Sequence, residues 1–217
     1  SRETEFTYDE NGNLATQKSP NGLITEFRYD EHFFPVARKY KGVRDAVDQL
    51  VGPARTGDAA GEITLKYQFN SLTGLKAWEE DGLGRKTQYT YDKLNRVTRV
   101  TLPDDDTVDD NNPYREYVFT DTDNTCEFHN EKGQKTLFNF DNLGRLKSIV
   151  KFTDNNTREY SKVTYRYDVL GRIDQVSLPF DPATTERYYT RYEYDGLNRV
   201  TRVTFPAKAG ETADFAG

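Results

Sequence analysis

The sequence predicts an all-β fold, in which a continuous antiparallel ribbon of roughly sixteen short strands runs as successive hairpins, two strands to each repeat. Three observations predict it. A motif of an aromatic residue followed by Asp, called here the aromatic-Asp turn, recurs along the chain. Turn-forming residues recur about every 8–12 residues. The predicted strands that enter the aromatic-Asp turns alternate aromatic and polar side chains. An open sheet of so many strands normally curls. Its aromatic face also needs cover, so we expect the ribbon to coil on itself.

The repeated phrase is clearest at residues 91–101, which return at 194–204 with one change, Gly for Lys. Close relatives occur at 140–145 and 167–172, and looser copies precede them. The residues of this repeat signature are Tyr8, Asp9, Gly12, Tyr29, Asp30, Tyr91, Asp92, Leu94, Asn95, Arg96, Phe140, Asp141, Leu143, Gly144, Arg145, Tyr167, Asp168, Leu170, Gly171, Arg172, Tyr194, Asp195, Leu197, Asn198 and Arg199.

A second class of turn lies about halfway between the aromatic-Asp turns, as in Asp81-Gly82-Leu83-Gly84. All long insertions fall in this second class, at 41–61, 103–112, 153–159 and 179–187. If the two classes alternate between the two edges of the ribbon, one edge is uniform and the other is variable.

The arms before the aromatic-Asp turns read aromatic, polar, aromatic, as in Tyr89-Thr90-Tyr91 and Tyr165-Arg166-Tyr167. Because side chains alternate between the faces of a strand, the aromatic residues should share one face. Aromatic neighbours on adjacent strands are also favourable cross-strand partners.

Each signature residue has a structural role in the predicted hairpin. The Asp closes the strand because its carboxylate can accept backbone N–H bonds two residues ahead. Three residues later stand the types that best tolerate positive φ, at Gly12, Asn95, Gly144, Gly171 and Asn198. We expect the arginines to place their forks near a neighbouring Asp. We expect the leucines to fold back over the aromatic layer, at Leu94, Leu143, Leu170 and Leu197.

Composition excludes several functional classes. A net charge of −6 and a pI near 5.1 argue against a nucleic-acid or anionic-membrane partner. No apolar run is long enough for a transmembrane helix. A single cysteine and two histidines exclude a disulfide framework and a zinc site rich in Cys or His. We therefore expect no cofactor.

Three local patterns contain residues that could carry chemistry. Cys126 and His129 could be a nucleophile and a base, but residues three apart in a strand face opposite sides, which favours a packed thiol. The acidic run 104–110 has oxygens for calcium without the spacing of an EF-hand, which favours a solvated insertion. Apolar spacing predicts a short helix near 43–51, packed over the sheet, with a plug or partner-contact element as the alternative.

No catalytic motif is present, so the sequence predicts no enzyme and no catalytic, cofactor-binding or metal-binding residue. Its thirty-six acidic residues allow some carboxylate pair by number alone. Most of the Asp residues in the signature already have a role in a turn.

At these turns the sequence resembles the Rhs or YD-repeat family, whose signature is Tyr-Asp-x-x-Gly-Arg followed by an aliphatic residue. The best matches lie at 91–97, 140–146, 167–173 and 194–200, whereas segment 31–63 departs from the pattern and the copy at 119–124 is degenerate. We expect residues 1–217 to be one segment of a single repeat ribbon, with its best repeats at 89–101, 138–150, 165–178 and 192–206.

The resemblance implies a piece of a large secreted or cell-surface protein, related to polymorphic toxins, insecticidal toxin-complex B and C components and teneurins. In this family the ribbon spirals into a hollow shell that, in the toxins, encloses a C-terminal toxic domain. The Asp-Pro-x-Gly cleavage motif of such toxins is incomplete here, because Asp181-Pro182-Ala183-Thr184 lacks the glycine.

Two functions follow as expectations. The first is a non-catalytic, structural stretch of shell that encapsulates a toxin or other passenger domain, with the rest of the parent polypeptide as its partner. The alternative is an extracellular adhesion module that binds a glycan or a receptor protein, using the loops of the variable edge and exposed aromatic residues beside Arg.

Overall fold

The computed structural model describes residues 3–44, 59–104, 111–153, 155–184 and 187–206. These residues form sixteen β-strands and no helix, so the all-β prediction is confirmed. The chain divides into two compact units, residues 1–114 and 115–217.

Each unit contributes eight strands. The first contains β1 (Glu5–Tyr8), β2 (Leu14–Lys18), β3 (Ile24–Tyr29), β4 (Pro35–Lys41), β5 (Glu62–Phe69), β6 (Lys76–Glu80), β7 (Lys86–Tyr91) and β8 (Val97–Thr101). The second contains β9 (Tyr114–Thr120), β10 (Thr125–His129), β11 (Lys135–Phe140), β12 (Leu146–Phe152), β13 (Glu159–Tyr167), β14 (Ile173–Ser177), β15 (Tyr189–Tyr194) and β16 (Val200–Thr204).

The order of the strands in the sheet is their order in the chain, from β1 to β16. Every described strand pairing is antiparallel, so the predicted ribbon of successive hairpins is confirmed. Such a topology needs only short connections, which the closely spaced turn signals supply.

The strand registers place most aromatic residues of each unit on one face of that unit's sheet, called here the aromatic face. In the first unit it carries Phe6, Phe27, Tyr29, Tyr67, Phe69, Tyr89 and Tyr91. In the second unit it carries Tyr117, Phe119, Phe128, Phe138, Phe140, Tyr165, Tyr167, Tyr192 and Tyr194.

The opposite face of the first unit carries ion pairs between neighbouring strands. Lys39 lies 2.7 Å from Glu62, and Lys41 lies 2.5 Å from Glu26. The alternation predicted from the sequence, with aromatic residues on one face and polar residues on the other, therefore describes this unit well.

Very little of the apolar surface is buried. Among the described residues only Val150 (1% exposed) and Cys126 (7% exposed) are buried hydrophobic side chains. The paired aromatic residues are mostly half-buried, since each is covered by its neighbours along the sheet rather than by a second layer. A sheet with one apolar face is stabilised further when another layer covers that face.

The helix predicted near 43–51 lies almost wholly outside the described residues, which resume at Ala59. Val43 is described and is not helical; its N–H donates a 3.0 Å hydrogen bond to the carbonyl of Gly61. No helix that could span a bilayer occurs in the described part of the chain.

Candidate functional site

The feature that recurs along the chain is the aromatic-Asp turn, and Asp141 illustrates its geometry. One carboxylate oxygen accepts the N–H groups of Leu143 and Arg145, both at 2.9 Å. The Gly144 N–H donates to the Asp141 carbonyl at 2.9 Å, and the Asp141 N–H donates to the Arg145 carbonyl at 2.8 Å. This is a type I turn followed by a left-handed residue, a common hairpin connection.

The carboxylate of the turn Asp accepts two backbone N–H bonds in the same way at Asp9, Asp30, Asp92, Asp168 and Asp195. The predicted positive φ is confirmed at Gly12, Asn95, Gly144, Gly171 and Asn198, where φ lies between 64° and 84°. The sequence therefore identified both the residue that closes the turn and the residue that bends it.

The turn predicted at Tyr29-Asp30 is present, but sequence reasoning missed its left-handed residue, because segment 31–63 departs from the signature. Phe33 takes the left-handed position after Asp30, with φ of 65°. Its N–H donates to the Asp30 carbonyl at 3.1 Å. A bulky residue with positive φ is uncommon, so the residue type gave no signal, and only the Tyr-Asp pair before it pointed to the turn.

Two turns of the second class, both without an insertion, use the same hydrogen bonds. Asp81 accepts the N–H groups of Leu83 and Arg85, and Asn130 accepts those of Lys132 and Gln134. The aromatic-Asp turns differ from these two in the strand pairing beside the turn. The register shifts by one residue, so that the strand after the turn carries one extra residue, at the turns that follow Tyr8, Tyr29, Phe69, Tyr91, Phe140, Tyr167 and Tyr194.

The turn arginine binds the Asp of its own turn, four residues earlier. Arg145 Nε lies 2.7 Å from Asp141 Oδ2. The same pair forms at Asp92–Arg96, Asp168–Arg172 and Asp195–Arg199. The Arg145 guanidinium, together with the Arg145 N–H, holds the pKa of Asp141 below its usual value. The expected contact between the arginine fork and an Asp is confirmed. Arg172 also reaches the next turn, where its Nη1 donates to the Asp195 carbonyl at 3.4 Å.

The same guanidinium also reaches the next repeat. Arg145 lies 4.4 Å above the centre of the Tyr167 ring, and Arg172 lies 4.5 Å above that of Tyr194. The two members of each pair come from consecutive aromatic-Asp turns. Each arginine therefore joins its own turn to the following repeat through a cation–π contact.

A tyrosine hydroxyl provides a second link between repeats. The signature tyrosine donates a hydrogen bond to the backbone carbonyl of the first residue in the strand immediately before its own. The pairs are Tyr29–Leu14 (3.1 Å), Tyr91–Lys76 (2.8 Å), Tyr167–Leu146 (2.8 Å) and Tyr194–Ile173 (2.7 Å). Burial raises the pKa of Tyr91 and of Tyr167, so both stay protonated donors.

The turn leucines do not fold over the aromatic layer, so that prediction was wrong. They are 66–77% exposed at Leu94, Leu143, Leu170 and Leu197. Each occupies the position before the left-handed residue, and its N–H is held by the turn Asp, which fixes it at the tip of the hairpin. A side chain at that tip points away from the sheet.

Cys126 and His129 do not form a catalytic pair. Cys126 is buried on the aromatic face between Phe119 and Phe138, its partners on the two neighbouring strands. His129 lies on the opposite face, where its ring is 3.3 Å from Glu127. The packed thiol expected from strand geometry is confirmed.

The other candidate sites have structural roles or fall outside the described residues. Of the acidic run 104–110, the structure describes only Asp104. Asp181, from the incomplete cleavage motif, accepts the Ala183 N–H and pairs with Arg158 at 2.5 Å. Within the described ranges, no three His, Cys, Asp or Glu side chains are grouped closely enough to bind a metal ion.

Comparison with known families identifies the repeat. Residues 8–41 and 73–107 match the family described as RHS Repeat. These two stretches carry RHS repeats. The Rhs/YD-repeat family predicted from the turns is thereby confirmed, and both matched stretches lie in the first unit. No curated protein sequence matches the chain.

Solved structures support the same fold. A crystal structure of TcdB2-TccC3 without its hypervariable C-terminal region is 21% identical with a TM-score of 0.64, covering 91% of this chain and 10% of that one. A TcdB2-TccC3-Cdc42 structure has the same TM-score and coverages at 20% identity. A further TcdB2-TccC3 structure is 16% identical with a TM-score of 0.60, covering 97% of this chain and 13% of that one. The RHS-repeat chain thus spans about a tenth of these proteins.

Proposed function

We propose that this chain is a non-catalytic stretch of wall in a β-shell that encapsulates a C-terminal passenger domain of an exported protein, such as a toxin. The observation that carries the proposal is the similarity of this ribbon to the TcdB2-TccC3 structures over 91% of its length. One of those proteins was crystallised without a hypervariable C-terminal region, which is the kind of segment a shell would hold.

The geometry of the ribbon supports this role. The Asp–Arg pairs brace individual turns, and the cation–π contacts and tyrosine hydrogen bonds join several repeats to their neighbours. The aromatic face needs a covering layer, which a ribbon closed around a passenger would supply. The chemistry of such a protein would reside in the passenger.

Protease protection of the intact parent protein tests the proposal. The parent is digested lightly, and mass spectrometry follows sequence C-terminal to the repeats. The same C-terminal sequence, expressed without the repeats, is the matched control at equal protease dose. We expect the enclosed sequence to survive until the repeats are cut, while the control is digested at once. Equal digestion rates in the two proteins would rule out encapsulation.

The adhesion module gains no support from the described residues. The exposed hydrophobic side chains include the leucines at separate hairpin tips, such as Leu143 and Leu170. The insertions at 41–61 and 103–112, which would form much of its binding surface, lie largely outside the described residues. We therefore retain encapsulation as the proposed function.

A further inference from the structure

The aromatic face of the first unit contains a groove of about 260 Å³ with one uncompensated positive charge. Aromatic and cyclic side chains form most of its walls, and two cations reach into it. The lining includes Phe27, Pro35, Arg38, Tyr67, Phe69 and Lys76. Ligand pockets for cofactors and drug-sized molecules are usually larger, about 300–1,000 Å³. A groove of this size suits one or two side chains of a peptide.

The two cations differ in their partners. Lys76 Nζ lies 2.8 Å from Glu79 Oε2, so its charge is neutralised locally. Arg38 has no carboxylate partner among the described residues; its guanidinium donates to the Tyr40 hydroxyl at 3.4 Å and lies 5.3 Å above the Phe27 ring. By contrast, Arg85 and Arg96 in the same unit are each paired with an Asp of their own turn. The groove therefore carries one uncompensated positive charge.

We propose that this groove binds a peptide segment that presents one carboxylate beside an aromatic side chain. The guanidinium fork matches a carboxylate in a bidentate pair, and the aromatic walls offer contact area to the neighbouring ring. A single net positive charge suits one carboxylate better than a doubly charged phosphate. The proposal rests on the lining residues and does not require the shell.

The chain offers a matched control for Arg38. Arg28 stands on the neighbouring strand of the same hairpin, is exposed and lies on the opposite face. It also makes no ion pair with the described residues. Replacing either arginine with Gln removes one positive charge from the same hairpin, so a difference between the two variants reports on the groove and not on net charge.

The test is a titration followed by amide chemical shifts in NMR, using the capped peptide Gly-Glu-Phe-Gly and its Gly-Gln-Phe-Gly counterpart. We expect the Glu peptide to shift the amides of β3–β5 saturably, and the Gln peptide to bind at least about tenfold more weakly, as loss of a charged hydrogen bond predicts. Arg38→Gln should weaken binding of the Glu peptide by a similar factor. Arg28→Gln should leave the affinity for that peptide within about twofold of the wild-type value.

Three results would overturn the proposal. These are no saturable binding of the Glu peptide, equal affinities of the Glu and Gln peptides, or an equal loss of affinity for the Glu peptide in Arg38→Gln and Arg28→Gln. A phosphotyrosine peptide that binds tenfold more tightly than the Glu peptide would overturn the assignment to a carboxylate. Amide spectra that are otherwise unchanged in both variants establish that each is folded. Because the titration does not involve a passenger, its outcome is independent of the protease experiment.

Discussion

The hydroxyl of Tyr167 donates a 2.8 Å hydrogen bond to the backbone carbonyl of Leu146, which lies at the start of the preceding strand. The Arg145 guanidinium next to Leu146 covers the ring of the same tyrosine at 4.4 Å. One side chain is thus held by a backbone carbonyl and a cation from the preceding turn. This arrangement explains why the repeat signature combines an aromatic residue, an Asp and an Arg.

The hydroxyl of Tyr167 can be tested separately from its ring. Tyr167→Phe should lower the free energy of unfolding by about 0.5–1.5 kcal/mol, the usual net value of such a hydrogen bond. Phe140 occupies the equivalent place in the preceding signature copy, so a phenylalanine fits there. Tyr165→Phe on the same strand is the control, since no hydrogen bond of its hydroxyl is described. Equal urea midpoints for the two variants would contradict the role of the hydroxyl.

The left-handed position of the turn can be tested at Gly144, where φ is 75° and a Cβ would meet no atom within 4 Å. Gly144→Ala should therefore cost only the backbone penalty, about 1–2 kcal/mol. Gly144→Asn should cost much less, because Asn95 and Asn198 take this position with φ of 64°. Urea denaturation measures both. Equal destabilisation by Ala and Asn would refute the assignment.

The Asp141–Arg145 pair predicts acid sensitivity. Because the folded-state pKa of Asp141 is lowered from 3.8, its ionised form stabilises the fold above about pH 4, and that contribution is lost as the pH falls through the folded pKa. Asp141→Asn should be less stable than the wild type at pH 7, and the difference should shrink as the pH falls below the folded-state pKa of Asp141. Urea midpoints measured from pH 7 to pH 2.5 check this. A constant difference across the range would contradict it.

Close packing at the second class of turn can be tested at Gly82. A Cβ built on Gly82 would lie 2.5 Å from Ile63 Cγ2, so Gly82→Ala should destabilise by about 1–3 kcal/mol. Gly196 follows its turn Asp in the same way but has open space, so Gly196→Ala is the matched control. In an Ile63→Ala background the cost of Gly82→Ala should largely disappear. An unchanged cost in that background would show that Ile63 is not the cause.

The ribbon could be predicted from the sequence because its information is local. Alternation of aromatic and polar residues defines a strand face, and the residue three after each Asp defines where the chain bends. Both features can be read within ten residues. The equivalence of the two turn classes is partly visible in Asp81-Gly82-Leu83-Gly84, which has the same Asp and glycine spacing as the signature.

The remaining features depend on how repeats meet. The Leu143 side chain packs on the sheet or points into solvent according to the direction of its Cα–Cβ bond at the hairpin tip. The residue type alone does not encode that direction. The Tyr167–Leu146 bond depends on how β12 and β13, which follow and precede consecutive aromatic-Asp turns, pair with each other. The charge of the groove depends on Arg38 having no acidic cross-strand partner, which only the register reveals.

Cryo-electron microscopy of the intact parent protein tests whether these repeats form the wall of a closed shell. We expect a continuous hairpin ribbon that surrounds a cavity, with the strands of this chain in its wall in their chain order. An extended or open ribbon without an enclosed cavity would contradict it.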